Sequence, residues 1–136
     1  MGLKAVPRTL VQMDHIVVYE DNDLMRALLK EWLGEAGYRV SAPAPTGALP
    51  ELPADLVIVS VYMPKHVGAR MIREIRAVHP GAAVIAISAQ FRSGLCEMGA
   101  TARALGVEQV MAKPLSRTDL LDSVRAMMSR PSRTGS

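Results

Sequence analysis

Apolar and polar positions along this chain follow two periods that take turns. His15-Ile16-Val17-Val18-Tyr19 is a β-branched run that stops at Glu20-Asp21-Asn22-Asp23, as a buried strand does on reaching a polar loop. Met25, Leu28, Leu29, Trp32 and Leu33 then recur three or four apart, predicting a helix that Asn22 or Asp23 can cap and Gly37 can end. Tyr38 to Ser41 reads as a brief second strand. Pro43, Pro45, Pro50 and Pro53 then leave room only for a short or irregular helix around Thr46 to Leu49.

Leu56-Val57-Ile58-Val59 is apolar without alternation, the mark of a strand covered on both faces, and leads through Ser60-Val61 to the breaker Met63-Pro64. Gly68 is expected to open a helix with Met71, Ile72, Ile75 and Val78 on its inner stripe, and His79-Pro80-Gly81 to stop it. Val84 to Ile87 reads as the fourth strand. Leu95, Met98, Ala102 and Leu105 keep helical spacing up to Gly106, and Gln109 to Ala112 reads as the fifth strand, ended by Lys113-Pro114. Ser116 with Asp119 resembles a capping box ahead of Leu120, Leu121, Val124, Met127 and Met128. Five strands alternating with helices predict a parallel sheet covered on both sides.

The pattern divides the chain into an extension (1–13), one domain (14–128) and a polar tail (129–136). With 136 residues, 49% hydrophobic and 21% charged, such a domain hides roughly two-thirds of its unfolded surface and needs neither disulfide nor structural metal. Cys96 is the only cysteine, which fits a reducing cytoplasm. No apolar run is long enough for a membrane span and no secretory leader is recognisable. The net charge of +3 sits in Lys4, Arg8, Arg130 and Arg133, leaving 12 basic against 13 acidic residues between 14 and 128. Without aromatic residues interleaved among these charges, nucleic-acid binding is not expected.

In such sheets ligands bind beyond the carboxyl ends of the strands. Strand one delivers Glu20-Asp21 there, strand three Ser60, strand four Ser88 and strand five Lys113. Adjacent carboxylates repel unless a cation stands between them, and either Mg²⁺ or the Lys113 ammonium would serve. Spacing alone leaves a plainer role open, in which the acids cap the next helix. His66, beside Lys65, is placed by the topology on this same face; His15 and His79 fall on the far side and read as structural. Met13, Met63, Met98, Met111, Met127 and Met128 read as core filling.

From Asp14 to Met128 the chain resembles a response-regulator receiver domain of bacterial two-component signalling. The resemblance rests on Ile16 to Asn22, on Asp55 to Pro64 with Gly68, on Ala86-Ile87-Ser88-Ala89, and on Ala104 to Val107 through Lys113-Pro114-Leu115. It implies a flavodoxin-like sheet of order 2-1-3-4-5. It also implies an aspartate at the end of strand three that takes a phosphoryl group from a histidine kinase with the help of Mg²⁺. By resemblance Glu20 and Asp21 are the metal acids, and Ser88 and Lys113 contact the phosphoryl group.

Two positions depart from that pattern. Ser60 stands where the acceptor aspartate belongs, and a serine hydroxyl needs a positioned base that an ionised aspartate does not. Val110 stands where the family carries a Tyr or Phe that swings with phosphorylation. The expectation is a stand-alone, degenerate receiver, not an enzyme and without a required cofactor, in which Mg²⁺ binds weakly at most and Lys113 bridges to Asp21 or Glu20. Its expected partner is a histidine kinase, another regulator or a second copy of itself. The face implied by the family is the fourth helix, fifth strand and fifth helix, from Leu95 to Arg130. The main rival is a receiver still phosphorylated at another residue or activated despite Ser60. A Ser60 hydrolase lacks the glycine-flanked elbow, and a flavin site lacks a phosphate-cradling loop.

Overall fold

The computed structural model describes residues 15–43, 54–61, 65–89 and 95–128, without the side chains of 65–68 and 95–99. In chain order these form β1 (His15–Tyr19), α1 (Asp23–Glu35), β2 (Arg39–Ser41), β3 (Leu56–Ser60), α2 (Lys65–Val78), β4 (Ala83–Ser88), α3 (Leu95–Leu105), β5 (Gln109–Ala112) and α4 (Arg117–Met128). The strands make one parallel sheet of order β2-β1-β3-β4-β5, the doubly wound flavodoxin-like order. The expected turn of helix at Thr46 to Leu49, both termini, Met13, Met63, and the side chains of His66 and Met98 lie outside the described residues.

The unbroken apolar runs of β1, β3 and β4 are explained by two cores, one on each face of the sheet. Successive strand residues point to opposite faces. Ile16 and Val18, Leu56 and Ile58, and Ile85 and Ile87 therefore pack against Leu29 and Leu33 of α1 and Leu120, Leu121 and Val124 of α4. Their neighbours Val17, Val57, Val59, Val84 and Ala86 pack against Ile72 and Ile75 of α2 and Ala102 and Leu105 of α3. Met111 sits in the first core, with Met127 and Met128 packed against its edge.

Helix ends account for most differences from the expected boundaries. Asn22, rather than Asp23, caps α1, its Oδ1 accepting the Met25 N–H at 2.8 Å. At the other end Gly37 adopts φ +100, its N–H reaching Gly34 O at 3.0 Å while the Tyr38 N–H reaches Leu33 O at 3.2 Å. That pairing is a Schellman closure, so Tyr38 is spent on ending the helix and β2 begins one residue later. The helix α2 begins at Lys65 and not at Gly68. Glycine is a less favourable helix residue than Lys, His or Val, so nothing in the sequence requires the start to wait for Gly68. Ser116 Oγ accepts the Asp119 N–H at 3.0 Å, the expected cap of α4.

Two polar ties hold helices to the sheet. Arg76 of α2 donates to Gly106 O and Ala82 O and, at 2.9 Å, to Glu108 Oε1, which also accepts the Val84 N–H at 2.8 Å. On the same side of the sheet Tyr19 Oη lies 2.7 Å from Nε2 of the buried His79. His15, also buried, pairs through Nε2 with Ser41 Oγ at 2.8 Å. Burial, and then the nearby His15, lower the His79 pKa from its ordinary 6.5, and burial raises the Tyr19 phenol above 10.0.

The sign of the resulting pH dependence follows from proton linkage. Below 6.5 the unfolded chain takes up a proton at His79 that the folded chain still resists, so stability falls as the pH drops below that value. Urea-denaturation midpoints measured from neutral to mildly acidic pH should show this fall, and His79→Gln should flatten it.

Candidate functional site

Parallel strands end at one edge, and the register decides which residues meet there. Tyr19 pairs with Val59, Ser60 with Ile87, and Ser88 with Ala112. The residues next in line, Glu20 after β1 and Lys113 after β5, therefore rise over the end of β3 from either side. Lys113 Nζ lies 2.9 Å from Glu20 Oε1 and 3.2 Å from Ser60 Oγ. The Glu20 side chain has no exposed surface and that of Lys113 retains 20%. Of the two bridges expected from sequence, Lys113 thus makes the one to Glu20.

Besides the Oε1 contact with Lys113, Glu20 is held at its other carboxylate oxygen and at its carbonyl. Its Oε2 accepts the Asn22 N–H at 3.0 Å, and its main-chain carbonyl accepts Arg26 Nη1 at 2.9 Å. Arg26 Nη2 bonds Asp23 Oδ1 at 2.6 Å. Arg26 was not among the residues singled out from sequence, although a signal existed. A cation in the first turn of a helix faces the positive end of the dipole, so an arginine there calls for compensating acceptors.

The other expected residues are less tightly gathered. Asp21 is exposed on the loop. Ser88 is buried one register position beyond the pair Ser60–Ile87, and its carbonyl accepts the Lys113 N–H at 3.0 Å. Val110 is buried in the second core with Val84, Ala86, Ala102 and Leu105. His15 is bonded to Ser41 and His79 to Tyr19.

Divalent Mg²⁺ gathers free carboxylate oxygens around one point and keeps the remaining positions for water. Here both Glu20 oxygens are engaged, an ammonium stands against one of them, and the β3 side chain in contact with that ammonium is the neutral Ser60 hydroxyl. Among the described residues no three His, Cys, Asp or Glu side chains converge. Glu20, as it is held here, does not fit the ion.

Residues 16–125 match the response regulator receiver domain, and the chain belongs to that family. Among its relatives, the transcriptional regulatory protein PdtaR of Mycobacterium tuberculosis is 33% identical over 93% of this chain, which spans 59% of that protein. The chemotaxis protein CheY of Thermotoga maritima is 28% identical over 80% of this chain and 92% of its own. The solved structure of Vibrio cholerae chemotaxis protein CheY4 superposes with a TM-score of 0.66 at 19% identity, covering 85% of this chain and 98% of that one, and so shares the fold. The chain is a receiver domain of two-component signalling.

The contacts of Lys113 are unequal in weight. Ser60→Ala removes one hydrogen bond and should cost about 1 kcal/mol. Lys113→Ala strands a fully buried carboxylate and should cost about 3 kcal/mol. Urea denaturation of both variants checks the order.

Proposed function

We propose that this receiver domain takes no phosphoryl group and acts by binding another protein. One observation carries the reading: the atom at the end of β3 that faces Lys113 is the Ser60 hydroxyl, with an ammonium beside it at 3.2 Å. An ammonium has no lone pair with which to remove the serine proton, and a hydroxyl that keeps its proton is a poor nucleophile toward phosphorus. Glu20, the nearest carboxylate given by the contacts of Lys113, is already bonded to Lys113 and to the Asn22 N–H. Ser60 thus occupies the acceptor position without the acceptor chemistry, and Ser88 and Lys113 are retained neighbours. Val110 agrees with this reading, since a buried valine has no ring to swing between two positions.

What remains to such a domain is its surface. The strand β5 lies at an edge of the sheet, and beside it a groove of about 500 Å³ runs along Gln109 to Ser116 and is closed by Asp119, Asp122 and Ser123 of α4. This supports the β5 and α4 part of the helix–strand–helix face as the docking surface for a histidine kinase, another regulator or a second copy of the chain. A domain of this size can offer the roughly 800 Å² per partner of a standard interface. No helix among the described residues is long and apolar enough to cross a membrane. The proposed setting, by family, is the cytoplasm, with neither enzymatic activity nor nucleic-acid binding.

Incubation with a small phosphodonor and Mg²⁺ followed by intact mass measurement tests the reading. The wild-type chain should show no phosphate adduct, and Ser60→Asp should acquire one. A stoichiometric adduct on the wild-type chain would overturn the proposal.

A further inference from the structure

We infer that the Lys113 ammonium, lodged between Glu20 and Ser60, is the permanent cation of this crevice and does the electrostatic work that a divalent ion would otherwise do. The inference rests on the reading of a crevice that takes no phosphate and goes further, because it makes the conformation of the acidic loop independent of metal as well.

A carboxylate withdrawn from water must be paired or hydrogen-bonded inside the fold. Glu20 has no exposed side-chain surface, and its charge is met by Lys113 at 2.9 Å. The carboxylate is aimed at Lys113 by the loop itself. Arg26 grips the Glu20 carbonyl at 2.9 Å, the Asn22 N–H holds Oε2 at 3.0 Å, and the Asn22 side chain is fixed in turn as the cap of α1. From the opposite side, Lys113 is anchored through its own N–H to Ser88 O at 3.0 Å. Cation and anion are therefore both mounted on main chain held by other bonds, so the pair forms without rearrangement. A divalent ion approaching Glu20 would have to expel the ammonium and break the Asn22 contact, and among the described residues no group of three His, Cys, Asp or Glu side chains converges to repay the loss.

Thermal unfolding with and without millimolar Mg²⁺, read by circular dichroism, tests this in three proteins. The wild-type midpoint should not move with Mg²⁺. Lys113→Met, close in length and uncharged, should lower the midpoint and make it Mg²⁺-responsive, since Glu20 then lacks its counter-charge. The double variant Glu20→Gln, Lys113→Met should recover most of the lost midpoint and lose the response, because no buried charge is left to balance. A saturable rise of the wild-type midpoint with Mg²⁺, or a folded Lys113→Met protein indifferent to the ion, would overturn the inference. No phosphodonor enters these measurements, so the two readings fail separately: a phosphate adduct counts against the function, a metal response of the wild-type chain against the resident cation.

Discussion

A carboxylate with no exposed surface has to find its counter-charge within the fold, and Glu20 finds it in Lys113, 93 positions along the chain. That pairing is available only because β1 and β5 run in the same direction and end at the same edge, with β3 and β4 between them. The sheet is in turn built from strands whose side chains are buried on both faces, which dictates near-continuous Val, Ile and Leu. The polar chemistry of the domain is thereby driven to the strand ends, where Glu20, Ser60, Ser88 and Lys113 stand.

The loop between β1 and α1 illustrates how local and distant forces combine. Asn22 ends the strand-to-helix turn by capping α1, a local matter of four residues. The same residue's N–H fixes the Glu20 carboxylate, and Arg26, one turn into the helix, fixes the Glu20 carbonyl. Arg26 lies at the end of α1 where the dipole opposes a positive charge, by a few tenths to about 1 kcal/mol. Its bonds to Glu20 O and Asp23 offset this. The helix terminus is thus arranged around the acidic loop and not merely placed after it.

Membership of the receiver family and the chemistry of this particular crevice are separate matters. The family is carried by the whole length of the fold, residues 16–125. The crevice depends on a few atoms, and on the proposed reading the exchange of one charged oxygen for a hydroxyl at Ser60 shifts Lys113 from a partner of phosphate to the standing partner of Glu20. Val110 is part of the same picture, packed among Val84, Ala86, Ala102 and Leu105 as a core residue.

Much of this was legible along the chain, because periodicity is a local property. The five strands, the helix faces and the residues that would stand at the strand ends follow from the spacing of apolar side chains and from Gly37, Gly106 and Pro114 as punctuation. The choice between Asp21 and Glu20 as the partner of Lys113 was not legible: both acids are adjacent in sequence, and only the burial of one and the exposure of the other separates them. The Tyr19–His79 pair was likewise not legible, since it depends on which side chains the folded sheet and helices bring within 3 Å of one another, whereas Arg26 carried a local signal in its place at the start of α1. Sequence by itself determined which residues could reach the crevice. Tertiary structure decided which of them meet, because charge pairing in a buried site depends on distance and desolvation, and neither exists until the strands are laid side by side.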